Sequence, residues 1–163
     1  MTAFVIRDAR ITDAPAIHAA LLGIADALGE RDKIVSTPDD IRRYGFGDAP
    51  AFRVLIAEAK GQVAGICLYF PSFSTWFGRP GVYVQDLYVA PEYRSTGVAE
   101  ALMRRLAAET KADGGTYIRL SVDAKNPGAQ KFYERIGMKW SSGERIFVAR
   151  HNDFDQLAGG DDR

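Results

Sequence analysis

Residues Val82-Tyr83-Val84-Gln85-Asp86-Leu87-Tyr88-Val89 form a β-type run that passes through Ala90-Pro91-Glu92-Tyr93 into Arg94-Ser95-Thr96-Gly97-Val98-Ala99, where an amphipathic helix begins. A strand, a glycine-containing turn and a helix start in that order make an anion site. The first amides of a helix lack partners within it, and the helix dipole adds partial positive charge there. Gly97 lets a ligand approach the backbone closely, and Arg94 adds a planar, permanently charged fork. A pyrophosphate is the natural occupant. The Arg-x-x-Gly-x-Ala pattern alone is unspecific, and its place between strand and helix gives it weight.

Other residues have chemical potential and also a plain structural reading. Asp86 can serve as an acid or base, or simply as a hydrogen-bonding carboxylate. Asn126-Pro127-Gly128 can cap a helix. Tyr133 lies one residue past Phe132, and Phe132 and Ile136 are expected to form a buried i, i+4 pair. Tyr133 therefore points away from that stripe. Trp76, flanked by Phe73 and Phe77, fits either a substrate mouth or the packing of a hairpin. His18 and His151 have no partners at ligand spacing, so no metal site is expected. Cys67 reads as a small core residue.

Composition narrows the classes. The chain has 163 residues, 47% apolar and 26% charged, with 21 basic against 21 acidic side chains. That suits one domain with a proper core. No net field draws it to nucleic acid or anionic lipid. No apolar run reaches the roughly 20 residues that span a bilayer. Met1-Thr2-Ala3-Phe4-Val5-Ile6-Arg7 reads as a strand rather than a signal peptide. With one cysteine there is no internal disulfide. A cytoplasmic enzyme is the expectation.

The elements that must position these residues follow from periodicity. Phe4 to Arg7 is a strand. Thr12 or Asp13 caps a helix with the stripe Ile17, Leu21, Ile24, Leu28. Thr37-Pro38-Asp39-Asp40 starts a short helix that stops near Gly45. Arg53 to Glu58 and Val63 to Phe70 flank a Lys60-Gly61-Gln62 turn. Strand Val82 to Val89, helix Gly97 to about Lys111, strand Tyr117 to Val122 and helix Gly128 to about Ile136 come next. Val98, Leu102 and Leu106 should face the core. Lys139 to Ser141 and Arg145 to Arg150 make a last β pair, and residues 159–163 a frayed tail. The order β-α-α-β-β-β-α-β-α-β-β predicts an α+β (mixed α/β) fold in a single domain, 1–163. Its mixed, mostly antiparallel sheet would have about seven strands, with a parallel pair from the late β-α-β unit.

These motifs resemble the GNAT N-acetyltransferase superfamily. Strand, Arg94-x-x-Gly97-x-Ala99 and helix resemble its coenzyme A pyrophosphate motif. The segment Asn126-Pro127-Gly128-Ala129-Gln130-Lys131-Phe132-Tyr133-Glu134-Arg135-Ile136-Gly137-Met138 resembles its second signature, about 30 residues downstream in the right order. Within the superfamily, Phe4-Val5-Ile6-Arg7, Tyr44-Gly45-Phe46-Gly47, Trp76 with Gly78, and Val82 to Val89 are similar to the spermidine/spermine (diamine) and thialysine N-acetyltransferase branch. The similarity covers nearly the whole chain.

The resemblance implies helices on both faces of the sheet, a splayed fourth and fifth strand, acetyl-CoA as co-substrate and a homodimer with substrate pockets near the subunit boundary. By family position the backbone amides of Leu87 and Val89 meet the pantetheine arm and polarise the thioester. The pyrophosphate lies over Arg94, Ser95, Thr96, Gly97, Val98 and Ala99. Asn126 bonds the pantetheine amides and Arg135 reaches a phosphate. Tyr133 donates a proton to the departing thiolate, and Trp76 and Asp86 meet the amine.

The base is less obvious. An alkyl amine with a pKa near 10.4 is neutral in only about one molecule in 2,500 at pH 7, a handicap of roughly 4.6 kcal/mol. The polyamine branch has a Glu before the strand Asp, and here that position is Gln85, which has no useful basicity. Asp86 remains, to hold the ammonium or relay its proton. Alternation puts Gln85 and Asp86 on opposite faces unless a bulge intervenes. The acids that the polyamine enzymes carry are also thinned. Leu28-Gly29-Glu30-Arg31-Asp32-Lys33 interleaves bases, and Ser74-Thr75 precede Trp76. The expected acceptor is thus a primary amine of a small molecule, a diamine, polyamine or lysine-like amino acid, with the smaller amines the better fit. A peptide or protein N-terminus is the competing acceptor. The other class of reading is a catalytically weak coenzyme A-binding sensor module.

Overall fold

The computed structural model describes residues 3–159. The residues through Asn126 and those from Pro127 onward form two compact units. In the first, β1 (Val5–Asp8), α1 (Ala14–Leu28), α2 (Pro38–Gly45), β2 (Arg53–Ala59), β3 (Gln62–Ser74), β4 (Arg79–Val89), α3 (Val98–Ala112) and β5 (Ile118–Leu120) succeed one another. The second holds α4 (Pro127–Arg135) and α5 (Asn152–Leu157).

One mixed sheet runs β1-β2-β3-β4-β5 in sequence order. The first four strands are antiparallel neighbours, and β5 lies parallel to β4. This is the expected α+β architecture. On one face Val54, Ile56, Ile66 and Leu68 pack under Ala14, Ile17 and Ala20 of α1 and Ile41 of α2. The intervening residues of the same strands face α3, whose Val98, Leu102 and Leu106 are buried as their spacing predicts. The stretch Ile11–Leu28 is long and apolar enough by composition to cross a bilayer, with a mean hydropathy of 1.3. Its buried stripe, Ala14, Ile17 and Ala20, belongs to this core instead.

Local chemistry explains the helix ends. Thr37 and Asp40 form a reciprocal capping box at α2, with Pro38 at the first position. At α1 the expected cap works differently. Asp13 makes no side-chain cap to its own helix. It accepts both guanidinium nitrogens of Arg7, at 2.8 and 3.0 Å, and the Arg10 N–H at 2.7 Å. Arg7 also reaches Glu58 of β2 at 2.6 Å. One arginine thus clamps β1 to the entry of α1 and to the neighbouring strand. Gly65 sets the approach of α3. A Cβ there would lie 2.6 Å from the Tyr88 carbonyl oxygen and 2.9 Å from Val98, so only glycine lets α3 start this close to β3 and β4.

The second unit departs from expectation. Five strands are present among the described residues rather than about seven, because 139–150 forms no strand. Trp140, Ile146, Phe147 and Val148 are exposed there. A lone two-stranded hairpin is marginal in water, and these two short runs do not form one. An unexpected helix, α5, follows at Asn152–Leu157. The predicted Phe132–Ile136 buried pair is also corrected. α4 buries no residue fully, ends at Arg135 before Ile136, and leaves Phe132 half-covered by Tyr133 and Arg135. A helix of nine residues in so small a unit has no core to bury a stripe in. Of the expected tail, 160–163 lie outside the described residues.

The Arg7 clamp holds the Asp13 carboxyl below its ordinary range, chiefly through the hydrogen bond from Arg7. A lowered folded pKa stabilises above the unfolded value, and that stability is lost as pH falls through the folded one. Asp13→Asn should therefore lower stability by about 1–2 kcal/mol at pH 7. Urea midpoints should converge with wild type as the pH falls through the lowered folded value of this carboxyl.

Candidate active site

The site begins with a count of residues. In the β3–β4 ladder Tyr69 opposes Val84 and Leu68 opposes Asp86, so Gln85 is an extra residue. This bulge reverses the alternation of β4. Before it, Val82 and Val84 face α3 and Tyr83 lies with Phe70, ring centroids 5.1 Å apart, on the α1 side. Beyond it, Asp86 and Tyr88 lie opposite Leu68 and Ile66, which belong to the α1 face. Gln85 is exposed. The condition under which Gln85 and Asp86 escape strict alternation is met. The residues that alternation hid are Tyr83 and Tyr88, which share the Asp86 face. No pattern in the sequence announces the bulge.

The same reversal turns the backbone. The Val82 N–H donates toward β5, to Tyr117 O at 3.1 Å, whereas the Ala90 N–H donates toward β3, to Ala64 O at 2.8 Å. Counting back from Ala90, the N–H groups of Leu87 and Val89 point to the β5 side. There β5 pairs with β4 only at Val82, Tyr83 and Val84. A hydrogen bond between Tyr83 Oη and Ser121 Oγ, 2.7 Å, ties the strands where pairing stops. Beyond it no strand among the described residues pairs with that edge of β4, where the Leu87 and Val89 N–H groups point.

That edge leads into the anion loop. Arg94 Nε donates to Val89 O at 3.4 Å. The Thr96 hydroxyl donates to Tyr93 O and pins the turn. Ser95 and Gly97 both have left-handed backbone, φ 62° and 88°, the alternation that turns successive amides inward as an anion nest. Gly97 is the N-cap of α3, with no side chain to occupy the free amides of Val98 and Ala99. A Cβ built at Gly97 meets nothing within 4 Å. The loop thus offers donors, positive dipole and open space together, which fits a pyrophosphate.

Asp86 is the unusual titratable group. Burial raises its carboxyl from 3.8 to about 6. Cys67, across the ladder, is fully buried and its thiol is pushed up to about 12, first by burial and then by Asp86. It is inert packing, as expected. His18 bonds Ser36 O at 2.7 Å and serves the fold.

The remaining sequence candidates are not all drawn to this place. Trp76 is 94% exposed at the β3–β4 turn. It does not pack the hairpin. Seven residues of strand separate Asp86 from Arg79 at the turn, roughly 23 Å at 3.3 Å per residue. Within one chain Trp76 therefore stands a strand's length from Asp86. Asn126 ends the first unit, its N–H bonded to Asp123 O at 2.9 Å. Tyr133 and Arg135 lie in the second unit. There Tyr133 packs edge-to-face on Phe132 at 5.2 Å, and the Arg135 guanidinium stacks over the Phe132 ring at 5.5 Å.

Comparison with known proteins identifies the architecture. Residues 23–138 match the family described as "Acetyltransferase (GNAT) family". The chain is 32% identical over 145 residues to the thialysine N-epsilon-acetyltransferase of Bos taurus, covering 84% of this chain and 85% of that protein. It is 32% identical over 114 residues to spermidine/spermine N(1)-acetyltransferase-like protein 1 of Homo sapiens, covering 66% of this chain and 16% of that one. An integron cassette protein of V. cholerae has the same fold, with a TM-score of 0.82 at 20% identity over 98% of this chain and 99% of that one. The chain belongs to the GNAT acetyltransferase family, is an acyltransferase, and falls with the thialysine and spermidine/spermine branch.

Proposed function

We propose that this acyltransferase moves the acetyl group of acetyl-CoA to a primary amine of a small molecule, a diamine or a lysine-like amino acid, by direct attack in a ternary complex. Acetyl-CoA, the general co-substrate of the family, supplies an activated acetyl thioester. The observation that carries the reading is the half-buried Asp86 beside the open edge of β4, which runs into the anion loop.

Each residue then has a task. The loop from Arg94 to Ala99 holds the pyrophosphate, and the Leu87 and Val89 N–H groups hold the pantetheine arm and polarise the acetyl carbonyl. Asp86 holds the ammonium and takes its proton, directly or through water. A carboxylate at about 6 is mostly ionised at pH 7.5. It also lies closer to an alkyl amine than an ordinary Asp, which eases the transfer. Gln85 contributes polarity at the bulge and no basicity. Asn126 bonds the pantetheine, Arg135 a phosphate, and Tyr133 gives its phenolic proton to the departing thiolate. These last three roles rest on the family resemblance.

Acceptor size follows from charge. Glu30 is paired with Lys33 at 2.8 Å and Asp26 with Arg31 at 2.6 Å. Carboxylates already neutralised by neighbours offer little to a tri- or tetracation, which favours a smaller amine. Residues 1–163 act as one domain in this scheme, and the enzyme works as a homodimer in which Trp76 reaches an acceptor from the other copy.

The first test is release of coenzyme A from acetyl-CoA against diamines, spermidine, lysine, thialysine, simple alkyl amines and a short peptide. Turnover on the diamines or lysine analogues is expected. Turnover on the peptide alone would replace the acceptor, and binding of acetyl-CoA without any turnover would mark a sensor module.

Three variants probe the roles. Asp86→Asn should cut turnover at pH 7.5 about 100-fold or more and abolish the acid limb near pH 6 in the kcat/KM profile. It should also stabilise the fold. A carboxyl raised in the folded state costs stability as pH climbs through the interval from 3.8 to about 6. The variant's gain at pH 7, on the order of 1–3 kcal/mol, should vanish at pH 4 in thermal melts. Tyr133→Phe should lower kcat far more than acetyl-CoA affinity, and an unchanged kcat would remove Tyr133 from the mechanism. Arg94→Ala should weaken acetyl-CoA binding by roughly 10- to 100-fold in calorimetry.

A further inference from the structure

The face of the sheet that carries Asp86 continues beyond it. On that face Leu68 opposes Asp86 and Phe70 opposes Tyr83, so the bulge at Gln85 makes Tyr83 the next side chain along β4. In the other direction the face is closed. Tyr88 follows Asp86, and α1 packs on it so tightly that a Cβ at Gly23 would lie 2.7 Å from its ring. Ile66 and Leu68 are likewise covered by the α1 cluster. Phe70 and Tyr83, by contrast, are only half-buried, so a carbon chain leaving Asp86 along this face runs over them.

These two rings are held as a wall. They stack, with centroids 5.1 Å apart and 21° between their planes. Tyr83 Oη is hydrogen-bonded at 2.7 Å to Ser121 Oγ, just past the end of β5. Tyr117 then lies across β4 on the same face. A Cβ at Gly81 would come within 2.5 Å of its ring, so only glycine lets that ring cross to β3, where its hydroxyl donates to Ser72 Oγ at 2.9 Å. Ser72 opposes Gly81 as Phe70 opposes Tyr83, which puts Tyr117 next to the pair on the side away from Asp86. Serines thus engage both phenols and orient the rings, and apolar surface is what the rings offer a ligand.

A carboxylate followed by a row of rings discriminates between amines by what is attached to the nitrogen. An ammonium at Asp86 with an unbranched methylene chain behind it lays that chain on Phe70 and Tyr83, and each methylene covered adds affinity. The α-amine of an amino acid or a peptide sets a carbonyl close to the nitrogen instead. Ring faces are negative and offer that oxygen no donor, so its desolvation goes unrewarded. We propose that Phe70 and Tyr83 are specificity-determining residues, which read the carbon chain next to the reacting nitrogen and favour an unbranched methylene chain over an α-amine. The inference rests on the reading of Asp86 as the ammonium anchor and deepens it. Neither ring takes part in proton transfer.

The test reads chain length. The full chain is titrated with methylamine, butylamine, hexylamine and glycinamide, and the NMR signals of the Phe70 and Tyr83 rings are followed. Saturable shifts at both rings are expected with hexylamine. Affinity should rise roughly two- to fourfold per methylene as far as butylamine, and glycinamide should bind no better than methylamine. Tyr83→Ala should lower the ratio of hexylamine to methylamine affinity about tenfold, whereas Tyr83→Phe should keep it, since the ring remains. The ring shifts of the wild type decide the matter alone if Tyr83→Ala does not fold. Shifts absent from both rings, equal affinity for methylamine and hexylamine, or a ratio unchanged in folded Tyr83→Ala would each overturn the proposal. Release of coenzyme A is read separately with the same amines. Chain-length-dependent binding without release would strike the transfer reading and leave the wall standing, and release without chain-length dependence would strike the wall alone.

Discussion

One unpaired residue in a strand governs the rest. Because β4 has one residue more than β3 between Val84 and Asp86, its side chains and its amides both change sides at Gln85. Without that residue Asp86 would point toward α3, and the Leu87 and Val89 N–H groups would be spent on β3. The bulge thus aims a carboxylate at one face and, through the same reversal, a row of donors along the edge. A ladder hydrogen bond is forgone to do so, as at other strand irregularities beside functional sites.

The packing on either side keeps this arrangement in place. Gly65 lets α3 lie against the backbone of β4, which sets the helix start, and with it the anion loop, directly at the end of the open edge. Gly23 does the equivalent on the other face, where a Cβ would come within 2.7 Å of the Tyr88 ring. The Arg7 clamp fixes the entry of α1 to β1 and β2. Asp86 sits inside this close packing and loses solvation there. Its raised carboxyl is a cost to the fold and suits the proton-accepting role proposed for it.

Much of this was legible from residues one at a time. The run from Thr37 to Asp40 contains a complete capping box, Lys60-Gly61 turns a hairpin, and Val98, Leu102 and Leu106 mark a helical face by spacing alone. The anion loop was readable because its ingredients are contiguous: arginine, glycine and helix start within six residues. Phe132 and Ile136 misled because i, i+4 spacing states which residues share a face and says nothing of whether a core exists to receive them. The runs at 139–150 misled likewise, since β-type composition states a local preference and does not itself supply a pairing partner.

The sequence by itself determined the element order through α4, the antiparallel meander followed by a parallel crossover, the loop chemistry and the family, all of which rest on local pattern or contiguous motif. Only the tertiary structure decided which way Asp86 faces, how far it is desolvated and that Trp76 stands a strand's length away. The reason is physical. Facing, desolvation and hydrogen-bond satisfaction are properties of a residue's neighbours across the sheet, and a single inserted residue changes those neighbours without changing any local propensity.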